Sequence, residues 1–384
     1  VKAGAEPRPY RVSVDQSELD ELAQRLRRTR FSADLPAAHD CGVPLDRVRA
    51  LVDYWRHSYD WRHHEAALNA YPQSLMRIDG IDVHYLHVRS AAPETFPLIL
   101  THGWPMSVVE YLDVIDLLTS HRSDQGTGFD VVVPSIPGFG FSGPIREPGW
   151  NRQRIARAWA ELMHRLGYRT YGAHGNDVGG MISLELGRVD PEHVTAVHVT
   201  QTFSLPSADR RELAGLSASD LARLERSERF LRKSGAYLAL QSTQPQTLAH
   251  ALSDTPAGQL AWNLQLFDET VSDDYILTNT MIYWLTNTAG SSALTGYFEP
   301  RHADQPEGPT TVPLGVAVFD SDMFQSLRPL AERDHAGIVS WNSYRTGGHH
   351  PAHQVPSILA EDMRRFFNAH RDTGSTGSSS SLAT

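Results

Sequence analysis

The residues best placed to do chemistry sit in Tyr171-Gly-Ala-His-Gly-Asn-Asp-Val-Gly-Gly180, between a run that reads as a strand and one that reads as a helix. Glycines on both sides of Asp177 let a strained turn approach its neighbours while the central side chain projects at the helix N-terminus. A carboxylate there can displace a leaving group from a saturated carbon, and the resulting ester has its own carbonyl for water to attack. No G-x-S-x-G occurs in the 384 residues, so serine has no candidate for this role. The plain alternative is an Asp that caps a helix beside packing glycines. Leu100-Thr-His-Gly-Trp-Pro105 follows another strand-like run. A strand-to-helix loop of this kind can give one backbone N–H to an oxyanion, the other coming from the residue after the nucleophile, so Trp104 and Val178 are the expected donors. Read alone, the segment is only a tight turn, with Trp104-Pro105 a candidate cis peptide.

A base is expected from Tyr344-Arg-Thr-Gly-Gly-His-His-Pro-Ala-His353, ahead of the last helix, and His349 is the residue chosen. The spacing of His349, His350 and His353 raises the question of zinc, but Pro351 breaks a helical presentation and no Asp or Cys cluster is near, so no metal is expected. Gly138-Phe-Gly-Phe-Ser-Gly143 matches a dinucleotide fingerprint, yet Pro144 and Pro148-Gly149 stand where the phosphate-binding helix should continue. A rigid loop bordering a site is the better reading.

These segments need a scaffold. Leu19, Leu22, Ala23 and Leu26 form one helical stripe behind a capping box at Asp15 and Glu18, and Leu45, Val48, Val52 and Trp55 form a second. Leu75 to Ile78 and Val83 to Val88 flank Asp79-Gly80 as a hairpin. Strands at Pro97–Leu100, Phe129–Val133, Thr170–Ala173 and Val194–Val199 then alternate with helices at Val108–Leu118, around Ile155–Leu166 and at Val178–Gly187. Such alternation predicts an α/β fold with a mostly parallel sheet covered on both faces. Strand signals return at Val312–Phe319 and Gly337–Trp341 before a closing amphipathic helix with Met363 and Phe367. The expected units are an N-terminal arm and hairpin over 1–95, a first core part over 96–205, an inserted helical cap over 206–305, a second core part over 306–372 and a flexible tail over 373–384.

Composition narrows the function. Hydrophobic residues make up 40% and charged residues 21%, as in an ordinary globular protein. The net charge of −10 has no basic block, so no nucleic-acid partner is expected. Cys41 is the only cysteine, which excludes an intrachain disulfide and an iron–sulfur cluster. Lys2 and Lys233 are the only lysines among 35 basic residues, which weakens any Schiff-base chemistry. Val1–Gln16 has no signal-like apolar core, and Tyr275–Phe298 is too laced with Thr, Asn and Ser for a membrane span. A cytoplasmic protein without membrane contact is expected, with a homodimer left open.

Taken together, the chain resembles the microsomal-type epoxide hydrolases of the α/β-hydrolase fold from Tyr10 to His370. The resemblance rests on Phe31–Pro36, Tyr54-Trp-Arg, His102-Gly-Trp-Pro, the turn at Asp177 and Gly347-Gly-His349. It implies a cofactor-independent enzyme that turns an apolar or aromatic epoxide and water into a vicinal diol through an aspartyl ester. It places the nucleophile at Asp177 and the base at His349, and carries the acid to Asp322, where the family usually shows Glu, with Asp320 as competitor. It also points to two cap tyrosines, Tyr237 and Tyr297, as donors to the epoxide oxygen. Two features depart from the family: Val178 stands where Trp is common, and a membrane anchor like that of the animal members is not expected. With its arginine-rich composition the chain is similar to soluble bacterial members of natural-product, enediyne-type biosynthesis. A haloalkane dehalogenase is the rival in chemistry, although Val178 replaces the expected halide-binding indole. A non-catalytic binding protein on the same scaffold is the rival of another class.

Overall fold

Successive strand residues face opposite sides of a sheet, so a sheet covered on both faces must be apolar at every position. The central strands here come close to that condition, with Asp130, His174, Thr195 and His198 as buried polar exceptions. The computed structural model describes residues 6–35, 41–120, 127–207, 210–302 and 308–371; Pro36 and the expected tail over 373–384 lie outside them. Among the described residues nine strands form one sheet: β1 (Arg8–Tyr10), β2 (Gln73–Ile78), β3 (Ile81–Val88), β4 (Thr95–Thr101), β5 (Gly128–Pro134), β6 (Tyr171–Gly175), β7 (Val194–Val199), β8 (Leu314–Phe319) and β9 (Ile338–Tyr344). Their order is β1-β2-β3-β5-β4-β6-β7-β8-β9, antiparallel from β1 to β5 and parallel from β5 to β9. This is the expected α/β-hydrolase class of sheet.

Every residue of β5, β6, β7 and β8 is buried. Leu98, Leu100, Val131 and Val133 point into one apolar layer, with Met363 and Phe367 of the last helix and the N-terminal arm. Ile99, Val132, Ala173 and Val197 point into the other, with Trp159 and Met163 of helix Arg152–Arg165 and Ile182 of helix Val178–Val189. The exchange of β4 and β5 in the order seats β4 beside β6, in the register Thr101↔Gly175. The carboxyl ends of β4 and β6 are thereby neighbours, which is where open α/β sheets place their sites.

Between β7 and β8 the described chain is helical, from Arg210–Ala214 to Ala289–His302. No described helix is long and apolar enough to cross a membrane. The polar stretch Tyr275–Phe298 forms two helices joined at Asn287, whose φ of 50° is left-handed. Its polar side chains hold neighbouring elements: Asn279 accepts from Ser107 at 2.7 Å, Thr288 accepts from the Gly140 N–H at 3.0 Å, and Ser291 donates to the Gly138 carbonyl at 2.6 Å. The last two pin the Gly138–Gly143 loop, which continues into a short 3₁₀ turn, Gly140–Ser142, rather than a phosphate-binding helix.

The structure differs from the sequence reading at several points in its first 120 residues. A three-residue strand, β1, pairs with β2 ahead of the first helix; so short a run has no periodicity of its own to detect. Asp15 precedes helix Gln16–Arg27 without a side-chain cap bond, because the entry is tied elsewhere: the Val14 N–H donates to Glu65 at 2.8 Å and Val12 exchanges two bonds with Asn69. Val108–Tyr111 is a 3₁₀ turn ahead of helix Leu112–Thr119.

The arm also grips the cap. Tyr54 donates to Asp274 at 2.8 Å, Arg47 pairs with Asp273 at 2.7 Å, and the Tyr59 hydroxyl lies 3.0 Å from Thr278, which itself donates to the Asp274 carbonyl. Tyr59→Phe should therefore lose about 1 kcal/mol, the net worth of one hydrogen bond, read as a lower urea midpoint with an unchanged m-value.

Candidate active site

β6 ends at Gly175, a helix begins at Val178, and Asp177 between them has φ 53° and ψ −128°. An added Cβ at Gly179 would stand 2.0 Å from the Thr101 carbonyl oxygen, and one at Gly175 would stand 2.1 Å from that of Gly179. Only glycine lets the turn close onto the end of β4. The closure lays the His102–Pro105 loop, with a cis Trp104–Pro105 bond, over the Asp177 carboxylate. Trp104 N–H donates to Oδ1 at 2.9 Å, and the Val178 N–H hydrogen-bonds the same carboxylate. Oδ2 faces His349 Nε2 at 3.7 Å.

His349 is buried, and its Nδ1 lies 2.9 Å from Asp322 Oδ1. Nε2 has no hydrogen-bond partner among the described residues, so it is open to a proton. Asp320 points elsewhere, 3.6 Å from Arg223. Burial drives the His349 pKa down, but the charge and hydrogen bond of Asp322 and the charge of Asp177 outweigh it and push it up to about 9. Burial also raises Asp177, opposed by His349 and the N–H groups of Trp104 and Val178.

Tyr237, from cap helix Ala236–Thr243, is buried and stacks on Trp104 with ring centroids 5.3 Å apart and 14° between planes. Burial, then the charge of Asp177, raises its pKa well above the phenol range, so it keeps its proton. Tyr297, on helix Ala289–His302, is half-buried against the same apolar cluster and edge-on to Phe298. The other two histidines of the His349 loop bind protein groups. His350 donates from Nε2 to the Leu266 carbonyl at 2.8 Å, and His353 lies between Asp113 and Ser272, stacked on Tyr275.

Three side chains that the sequence reading did not single out complete the site. Gln201, just past β7, accepts the Asp177 N–H at 2.9 Å, donates to Asp322 Oδ2, and has its amide nitrogen 3.1 Å from His349 Nδ1. Glu110 is fully enclosed and accepts the Gly103 N–H at 3.0 Å and the Asn176 amide at 2.8 Å. Asn176 also donates to the His349 carbonyl at 2.8 Å. No local motif marks them, although Asn176 lies inside the turn. His102 accepts the Ile136 N–H on Nε2 at 3.2 Å and so carries its proton on Nδ1, facing the Gly103 carbonyl.

Residues 7–111 match the family profile "Epoxide hydrolase N terminus", and residues 97–284 match "alpha/beta hydrolase fold". The chain is 37% identical over 377 residues to a Stigmatella aurantiaca protein provisionally named as an epoxide hydrolase, covering 94% of this chain and 85% of the relative. It is 30% identical over 404 residues to epoxide hydrolase 1 of Sus scrofa, covering 94% and 88%. The crystal structure of juvenile hormone epoxide hydrolase from the silkworm Bombyx mori superposes with a TM-score of 0.89 at 25% identity, over 96% of this chain and 95% of that one.

Burial pushes the Glu110 pKa from 4.5 up to about 7, against the donors Gly103 and Asn176. The fold thus binds this proton more tightly than the unfolded chain does. The contribution is fully present below pH 4.5 and is lost as pH rises through about 7. Glu110→Gln cannot titrate, so its stability relative to the wild type should improve steadily across that window in thermal melts. A difference independent of pH would mean that Glu110 does not titrate there.

Proposed function

The chain belongs to the epoxide hydrolase family, and we propose that it makes a vicinal diol from an apolar or aromatic epoxide by way of a covalent ester on Asp177. The observation that carries this reading is the division of labour on one carboxylate: Oδ1 is held by the Trp104 N–H, while Oδ2 is turned toward His349. Oδ2 is then the attacking atom. It forms a bond to an epoxide carbon as the ring C–O bond breaks, and the departing oxygen takes a proton from a cap tyrosine. A phenol is suited to this because it stays protonated at neutral pH. Trp104, Tyr237, Leu266 and Phe298 belong to one apolar cluster, with Val178 packed against it, which supports an apolar substrate.

The ester carbonyl oxygen is Oδ1, already held by the Trp104 N–H, so this donor needs no reorganisation before the second step. Water attacks the Asp177 carbonyl carbon as His349 Nε2 takes its proton, and Asp322 balances the imidazolium that forms. Charge collects on Oδ1 between the N–H groups of Trp104 and Val178, each worth about 3 kcal/mol in comparable sites. Collapse breaks the bond between the carbonyl carbon and Oδ2, which leaves with the proton held on His349 Nε2; the acid proton left on Asp177 returns to the tyrosinate, and the diol is released. The first diol therefore carries an oxygen from Asp177, and the oxygen of water remains on the enzyme.

A single turnover of styrene oxide in heavy-oxygen water should leave the diol unlabelled and label Asp177. His349→Gln should accumulate the ester as an added substrate mass, and neither protein should release halide from haloalkanes. Label appearing directly in the first diol would overturn the covalent route.

Tyr237→Phe and Tyr297→Phe should each slow ester formation, within the 10²- to 10⁴-fold range of general-acid assistance, with little change in thermal midpoint. Unchanged rates in both variants and in the double variant would leave these rings as packing.

A further inference from the structure

Gln201 touches all three members of the charge arrangement at once. β6 and β7 pair in the register Gly175↔Val199, so Asp177 and Gln201 each stand two residues beyond a paired position, at the same height above the sheet. The backbone N–H of Asp177, turned out of the helix by its positive φ, needs an acceptor and finds Gln201 Oε1 at 2.9 Å. That contact orients the amide. The nitrogen must then face the other way, toward Asp322 Oδ2 and His349 Nδ1. Asp322 is left with a donor on each oxygen: His349 Nδ1 at 2.9 Å and the Phe324 N–H at 3.0 Å on Oδ1, and Gln201 on Oδ2. Gln201 is buried at 1% exposure, so water is poorly placed to replace it.

We propose that Gln201 is a positioning residue for the hydrolytic half of the reaction, fixing the plane of the Asp322 carboxylate, and through it the His349 ring, relative to the turn that bears Asp177. Ring opening needs only Oδ2 and a proton donor, neither of which Gln201 touches. Ester hydrolysis needs Nε2 aimed at a water over the Asp177 carbonyl carbon, and that aim depends on the acid. The proposal rests on the ester scheme above and adds a division between its halves.

Gln201→Met keeps the volume and removes both the acceptor and the donors. It should slow ester hydrolysis on the order of 10²-fold, the usual cost of a ~1 Å misplacement, while ester formation changes far less. The covalent adduct should then accumulate in the steady state, and kcat and KM should fall together. Gln201→Glu keeps an acceptor for the Asp177 N–H and can donate to Asp322 only while the new carboxyl is protonated. Asp177, Asp322 and His349 are the titratable groups in contact with that position. Its hydrolysis rate relative to the wild type should therefore fall as pH rises, a signature that lost packing would not produce, and this variant carries the test if the first does not fold. Equal slowing of both halves, or adduct-free turnover at the wild-type rate in the variants, would overturn the assignment. A wild type and a His349→Gln variant that never form an adduct would instead refute the ester scheme itself.

Discussion

Asp177 holds a backbone conformation that side chains other than glycine rarely adopt, at a cost of order 1–3 kcal/mol. The surrounding structure is built to impose it. Two glycines allow the turn to press against the end of β4, the Gln201 amide takes up the outward N–H, and the Asn176 side chain is held by Glu110. Each of these contacts comes from a different strand end or loop. The turn is therefore a product of the whole sheet order, in particular of β4 lying beside β6. Without that adjacency the Trp104 N–H would have no carboxylate to meet.

Behind the Asp177 carboxylate lies a second, buried polar layer. Glu110 accepts from the loop that carries Trp104 and from the turn that carries Asp177, and Asn176 passes the connection on to the His349 carbonyl. A buried acceptor with two donors is costly to break and holds its partners in one arrangement. The cap adds a third level of restraint. His350 and His353 anchor the His349 loop to Leu266 and Ser272, while Tyr283 donates to the Met106 carbonyl at 2.7 Å. The arm in turn grips the same cap helix through Tyr54 and Tyr59.

Much of this was legible in the sequence where the signal is local. The glycine-flanked Asp177, the His102-Gly-Trp-Pro loop and the strand–helix alternation each announce themselves within a few residues, because turn chemistry and periodicity are short-range properties. Asp320 and Asp322 are indistinguishable on that basis. Two residues apart in one loop, they differ only in which way the chain turns after β8, so that one meets His349 and the other Arg223. Gln201 and Glu110 were illegible for a related reason: a buried Gln or Glu in sequence looks like any surface residue until strand register brings its partners together. The capping box at Asp15 shows the opposite failure. The pattern was present, but tertiary bonds to Glu65 and Asn69 set the helix entry.

Both donors to the Asp177 carboxylate are main-chain N–H groups, Trp104 on Oδ1 and Val178 beside it. A main-chain donor survives any substitution of its own side chain that leaves the backbone path intact. The indole of Trp104 and the isopropyl of Val178 are thus free to change in size and polarity without removing the electrostatic core of the site, and both belong to the apolar surroundings where a substrate would lie. On the proposed scheme, selection can reshape what the enzyme accepts at the two positions closest to the chemistry. The usual conflict between altering a pocket and preserving its reactivity is relaxed there, which makes these two positions the natural entry points for evolving a new substrate range.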